Sequence, residues 1–267
     1  MKLTFSSLAC MDWSSERLVE ACKKLNMEGL EYRLPPDIDS FLESGEADLL
    51  KKAAEESGIK IIDIGTSVLL HKYDPEKILM LEKCINIAKE LNADGIRVFL
   101  GNFLARRSNK GEGIDYSGLV RLLKEVCVRA AEAGSEIWVE THNEFSTGKV
   151  LKKLLDDVSE KNLKIIWDII HPIEEGENYI DTMEYLGDKI AHLHIKDGKK
   201  QQDEDLIDYL YTKLGEGELP VREIVRHCCE KGFDGYYSLE WEPLWKKEIQ
   251  GYDVMEILEH YVSYINN

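Results

Sequence analysis

The chain has 267 residues, 43% hydrophobic and 32% charged, with a formal net charge of -17. That length suits one α/β barrel or two small domains with a sizeable core, and the acidic balance excludes nucleic acid and anionic membranes as default partners. The six cysteines are scattered without a Cys-x-x-Cys pair, which excludes a zinc ribbon and points to free, buried thiols.

Lys2 to Ser6 alternates as a short strand, and Ser14-Ser15-Glu16 opens a helix through Leu25 with Leu18, Val19, Cys22 and Leu25 on one stripe. Glu28 to Tyr32 is a second strand, with Glu31 and Arg33 near its end. A helix over Ala47 to Ser57 is closed by Gly58, and Ile59 to Ile64 is a third strand. Asp74-Pro75 starts a helix in which Ile78, Leu81, Cys84, Ile85 and Ala88 recur at helical spacing, and Asp94 to Phe99 is a fourth strand. Tyr116 to Ala133 is helical and ended by Gly134. Four more strand patterns follow, separated by helices over Lys149 to Val158, Tyr179 to Leu186 and Val221 to Lys231, with a last helix over Val254 to Tyr264.

Eight alternations of this kind imply parallel strands joined by right-handed crossovers. The size matches a (β/α)8 TIM barrel, a single α/β domain over residues 1–267, whose functional site lies at the C-terminal ends of its strands. A doubly wound open sheet also accommodates the alternation. It lacks its nucleotide-binding signatures, because no Gly-x-Gly-x-x-Gly follows the first strand and no Gly-x-x-x-x-Gly-Lys-Ser/Thr occurs. No apolar run reaches membrane-spanning length and Met1 leads straight into a strand, so a cytoplasmic location is expected.

Strands five to eight all end on costly polar groups. The run Lys164-Ile-Ile-Trp-Asp-Ile-Ile-His-Pro172 carries Asp168, and His171 falls where the strand gives way to a loop. Ser135 to His142 ends on Glu140 and His142, Lys189 to Asp197 on His192, His194, Lys196 and Asp197, and Gly235 to Glu242 on Glu240 and Glu242. In a closed barrel these ends are neighbours, so Glu140, Asp168, His194 and Glu240 converge. Three carboxylates and one imidazole repel without a cation and suit Mn2+, Mg2+ or Co2+ better than a thiolate-preferring ion. Taken singly, each of the four has an ordinary reading as a solvated strand-end carboxylate or a hydrogen-bonded core histidine; their common register favours a site. His192 lies deeper and reads as structural or supporting, and His142 is ambiguous.

Val139-Glu-Thr-His142, Trp167-Asp-Ile-Ile-His171, His192-Leu-His-Ile-Lys-Asp197, Leu214-Gly-Glu-Gly-Glu-Leu219 and Ser238-Leu-Glu240 resemble successive signatures of the xylose-isomerase-like barrel superfamily. Within it the chain is most similar to the sugar phosphate isomerase/epimerase group, which includes ketose 3-epimerases and inosose dehydratases. The resemblance implies a divalent ion, Mn2+ ahead of Mg2+, Co2+ or Zn2+, held by Glu140, Asp168, His194 and Glu240. It also implies that Glu140 and Glu240 move a substrate proton through an enediolate, that His171 touches substrate oxygens, and that barrels pair into a homodimer or homotetramer.

The implied function is a metal-dependent isomerase or epimerase acting on a sugar, sugar phosphate or related polyol ketone. Lys196 is a candidate for binding a substrate oxygen or phosphate, or is solvated. Glu31, Arg33 and Arg97 are candidates for the substrate's far end, or form structural ion pairs. The epimerases carry a glutamate six residues after the first metal glutamate and an arginine six after the metal histidine; here those positions are Ser146 and Lys200. An inosose-type dehydratase on the same metal site is therefore an alternative, followed by a non-catalytic sugar-binding barrel and an endonuclease IV-like nuclease. The nuclease's zinc cluster needs more histidines, and the fourth strand ends Arg97-Val-Phe-Leu-Gly-Asn102 with none. The Gly198 to Glu218 loop, acidic at Asp203-Glu-Asp205, reads as a lid, an inter-subunit element or a solvated loop.

Overall fold

The computed structural model describes residues 1–102, 113–202 and 208–266. Strands β1 (Lys2–Ser6), β2 (Gly29–Arg33), β3 (Lys60–Leu70), β4 (Gly95–Leu100), β5 (Glu136–Glu140), β6 (Leu163–Asp168) and β7 (Ile190–Ile195) follow one another in the chain. An antiparallel ribbon of β8 (Asp197–Lys200) and β9 (Tyr209–Thr212) comes next, and β10 (Tyr236–Leu239) closes the barrel between β7 and β1. Every barrel pairing is parallel, giving the expected single (β/α)8 TIM barrel.

The surrounding helices are α1 (Ser15–Lys24), α2 (Ile38–Ser44), α3 (Glu46–Ser57), α4 (Pro75–Glu90), α5 (Tyr116–Ala133), α6 (Gly148–Val158), α7 (Ile170–Glu174), α8 (Tyr179–Leu186), α9 (Val221–Glu230) and α10 (Val254–Asn266). Their ends follow local chemistry. Asp74, Asp115 and Thr147 cap α4, α5 and α6 by accepting from backbone N–H groups, and Gly134 ends α5 at φ 79°, a left-handed conformation that glycine takes without strain. The inward stripe of α5, Leu119, Leu122, Leu123, Val126, Cys127 and Ala130, is wholly buried against the barrel wall. All six cysteines are free and five are buried. Among the described residues no helix is long and apolar enough to cross a membrane.

Four features depart from the sequence expectation. Strand β3 runs to Leu70 rather than ending at Ile64, because after a register shift Leu69 and Leu70 pair with Phe99 and Leu100. Helix α2 has only Phe41 buried, too little apolar periodicity to register. His171 and Pro172 sit in the short helix α7 rather than in a loop. The expected 198–218 loop contains the β8–β9 ribbon, whose partners are separated by residues 201–208 and so leave no local pattern; Asp203-Glu-Asp205 lies outside the described residues.

Asp197 explains why two of the motif segments travel together. Its Oδ1 accepts from the N–H groups of Gly198 and Leu219 at 2.8 and 3.1 Å, and its Oδ2 from those of Gly215 and Gly217 at 2.9 and 3.1 Å. One carboxylate thereby folds Leu214–Leu219 onto the end of β7. Inside the barrel, Trp138 fills the space above Gly95, where a Cβ would lie 2.2 Å from its ring. The remaining interior is polar: Glu31, Asp63, Arg97, His192, His194 and Ser238 are all buried.

Candidate metal centre

Glu140 ends β5, Asp168 ends β6, His194 lies in β7 and Glu240 follows β10 directly. The pairing of Asp168 with His194 and of Ser238 with His194 sets these ends level. One potential ligand atom from each of the four residues lies within 4.8 Å of the others, and all four are buried. Local hydrogen bonds aim Asp168: its N–H donates to Thr141 Oγ1 at 2.9 Å and its Oδ1 accepts from Ile170 N–H at 3.1 Å, so Oδ2 faces the centre. Asp168 Oδ2 and His194 Nδ1 are buried without a well-formed hydrogen bond. Lys196 Nζ nonetheless lies 2.7 Å from the former and Glu240 Oε2 3.2 Å from the latter. Such a donor set fits a divalent ion.

Beneath the four lies a supporting layer. Glu31 is fully buried; its Oε2 sits 3.0 Å from His194 Nε2, and it accepts from Ser6 and Ser238 at 3.0 and 3.3 Å. Arg97 Nη1 lies 3.1 Å from Glu140 Oε2, 3.3 Å from Glu240 Oε1 and 3.5 Å from Glu31 Oε1. Lys196 donates to Glu240 and, at 2.8 Å, to Glu242. His171 Nε2 is 3.3 Å from Asp168 Oδ2, its Nδ1 is 2.8 Å from Glu174 Oε2, and its ring meets that of His142 edge-on at 4.4 Å.

Burial and mutual charge set the protonation pattern. Burial, reinforced by the Glu240 carboxylate, pushes Glu140 up to about 8. Burial alone would raise Glu240 too, but His194 and Lys196 hold it well below the usual carboxylate range. Burial raises Asp168 to about 6 against the pull of Lys196. Burial disfavours the charged forms of His194 and Lys196, yet Glu240 and Glu31 around the first, and Asp168 and Glu240 around the second, raise both well above their ordinary values. His192, buried and next to the His194 charge, falls to about 3 and is neutral.

A cavity of about 310 Å³ opens over the cluster, lined by Glu140, Glu240, Glu242, Arg97, His142, Arg33, Leu8, Ser67, Phe99 and Trp245. The structure therefore brings Glu140, Asp168, His194, Glu240, His171, Lys196, Glu31 and Arg97 into one neighbourhood. Glu31 has no face on the cavity because its carboxylate is taken up by His194 and two serines, and Arg97 lines the cavity from among the carboxylates it neutralises. Sequence reasoning missed Asp63, Ser67, Phe99 and Trp245. Asp63 was detectable as the one charge within the apolar Ile61-Ile62-Asp63-Ile64, the same signal that Asp168 gives; Ser67 and Phe99 reach the cavity from the ends of β3 and β4 and Trp245 from the segment after β10, which no local pattern records.

The chain is 27% identical to a fructoselysine 3-epimerase of Shigella flexneri over 182 residues, covering 65% of this chain and 61% of the relative, so it spans about three-fifths of that protein's length. Its fold matches that of the probable 3-DHS dehydratase AsbF of Bacillus anthracis with a TM-score of 0.79 at 19% identity, over 100% of this chain and 99% of that one. It equally matches a structure of the IOLI protein with a binding zinc atom, with a TM-score of 0.79 at 19% identity over 100% and 98% of the two chains. The model of the family described as the xylose isomerase-like TIM barrel matches residues 19–256, and the chain belongs to that family.

Proposed function

We propose that the protein is a divalent-metal-dependent isomerase or epimerase of a small polyhydroxy ketone, free or phosphorylated, working through an enediolate. The observation that carries this reading is the buried Glu140–Asp168–His194–Glu240 cluster, with ligand atoms within 4.8 Å of one another, at the floor of the cavity. The epimerase name of one relative and the zinc atom in one fold neighbour support it. When bound, a divalent ion, Mn2+ first among Mn2+, Mg2+, Co2+ and Zn2+, supplies Lewis-acid polarisation of a carbonyl and its neighbouring hydroxyl.

The chain's own residues do the rest. Glu240, ionised beside His194 and Lys196, accepts a proton from the carbon next to the carbonyl, while Glu140, which burial and the Glu240 charge keep partly protonated, returns one from its own side. His171, oriented by Glu174, hydrogen-bonds a substrate oxygen. Arg97 and Lys196 balance the carboxylates and hold their oxygens in place.

A dehydratase is the second reading, favoured by Lys196: a buried cation touching Asp168 and Glu240 can stabilise a departing hydroxyl next to the carbon that loses its proton. Ser146 and Lys200, standing where the epimerases carry glutamate and arginine, point the same way.

The test is metal content followed by incubation with ketoses, inosose-like ketones and their phosphates in deuterium oxide. Metal-dependent deuterium incorporation next to the carbonyl is expected, falling about 10²–10⁴-fold in Glu140→Gln or Glu240→Gln. Loss of water from the product would select the dehydratase. A protein that binds no divalent ion would sink both readings.

A further inference from the structure

Of the buried cations around the cavity, Arg33 differs from the rest. Arg97 and Lys196 each touch carboxylates. Among the described residues Arg33 forms no ion pair, although it is only 7% exposed. Its position is fixed by neutral groups. The backbone N–H of Arg33 donates to Ser7 Oγ at 2.7 Å, Nη1 donates to the carbonyls of Leu34 and Gly65 at 3.0 Å each, and Nη2 donates to the Ser67 hydroxyl. A guanidinium has five N–H donors, so two remain without an acceptor among the described residues.

A cation held this way is costly without a counter-charge, because the neutral oxygens satisfy hydrogen bonds but not the charge. Burial and the nearby Arg97 lower its pKa to about 10 against the pull of Glu31, Glu140 and Glu240, none of which reaches ion-pair distance, so it stays charged at neutral pH. Arg33 also stands at a junction. It lines the cavity over the metal cluster and, on its other side, a cavity of about 530 Å³ between the segments after β1 and β2.

We infer that Arg33, with Ser67, is the receptor for an anionic group on the substrate, a carboxylate or a phosphate at the end remote from the reacting carbonyl. This deepens the proposed function and rests on it. A planar guanidinium with free donors at the edge of the cavity suits an oxyanion far better than a hydroxyl, since charge-assisted hydrogen bonds are roughly twice as strong as neutral ones.

The experiment compares ketopentoses and ketohexoses in three forms that differ only at the last carbon: hydroxyl, carboxylate and phosphate. Fructose, fructuronate and fructose 6-phosphate are one such set. Binding to the Mn2+-loaded protein is measured by calorimetry for wild type, Arg33→Met and Arg33→Lys. At least one anionic form should bind about tenfold or more tightly than its neutral counterpart. Arg33→Met should erase that advantage and Arg33→Lys should keep part of it, each read as the ratio of anionic to neutral affinity within the same variant. Which anion gains decides between carboxylate and phosphate.

Equal affinity for neutral and anionic forms, a preference that survives Arg33→Met, or no binding by any anionic form would overturn the inference. If Arg33→Met loses neutral-ketose affinity or metal as well, the Arg33→Lys comparison decides. Metal content and Glu140-dependent deuterium exchange are scored separately, so a failed anion site is distinguishable from a failed reading of the metal centre.

Discussion

Glu31 Oε2 lies 3.0 Å from His194 Nε2, joining β2 to β7 across 163 residues of sequence and leaving His194 Nδ1 turned toward Glu240. A carboxylate behind a metal-binding imidazole fixes its ring orientation and raises its basicity. Glu31→Gln should therefore weaken Mn2+ binding about tenfold or more while all four proposed ligands remain. Competition against a chelating dye measures this, and an unchanged dissociation constant would remove Glu31 from the centre.

Metal should also stabilise the fold. The cluster gathers carboxylates from three strand ends, so an ion held there would bind the native state and have no equivalent site in the unfolded chain. At free Mn2+ about a thousandfold above Kd the gain is about 4 kcal/mol, a rise in Tm of roughly 8 °C or more for a chain of this size. Chelation should reverse the shift, and Asp168→Asn should abolish most of it. A Tm indifferent to Mn2+ and to chelator would contradict this account.

Asp63 gives a pH signature. Both its carboxyl oxygens are buried without a hydrogen-bond partner, and burial, followed by repulsion from Glu31, raises its pKa well above the ordinary carboxylate value. The native state thus keeps a proton that the unfolded chain releases near pH 4. Its stabilising contribution is complete below that pH and is lost as pH rises toward the folded value. In metal-free protein, Asp63→Asn should be more stable than wild type by about 1–3 kcal/mol near neutrality, with the difference vanishing at pH 4. Urea unfolding at several pH values would show it; a difference independent of pH would refute the assignment.

Gly95→Ala tests the packing beneath the site. The added methyl would lie 2.2 Å from the Trp138 ring, and neither β4 nor β5 can shift without disturbing Arg97 within the one and Glu140 at the end of the other. The overpacking should cost about 1–3 kcal/mol or more. Trp138→Leu in the same chain should restore part of the loss, and a neutral Gly95→Ala would show that the ring has room to move.

The sequence carried the four-residue cluster because each of its members interrupts or ends an apolar strand, and a closed barrel brings consecutive strand ends together. His171 came from the family resemblance, as the histidine three residues after Asp168. Glu31 was visible as a polar strand-end residue, but its partner was not: contact with His194 depends on how far β2 and β7 each project into the barrel, which neither local sequence records. Helix α2 and the β8–β9 ribbon escaped for a related reason, one having a single buried side chain and the other pairing across an intervening segment.

By itself, then, the amino-acid sequence determined the alternation of eight strands and helices, the end of the barrel that carries charge, and the four residue types that converge there. These are properties of periodicity and residue chemistry, which act locally. Only the tertiary structure decided that Arg97 stands among three carboxylates, that Lys196 bridges Asp168 and Glu240, and that Arg33 faces the cavity without an ion pair among the described residues. Those relationships join strands far apart in sequence, and in a buried interior the electrostatic consequence of a charge is set by which opposite charges lie within a few ångströms of it.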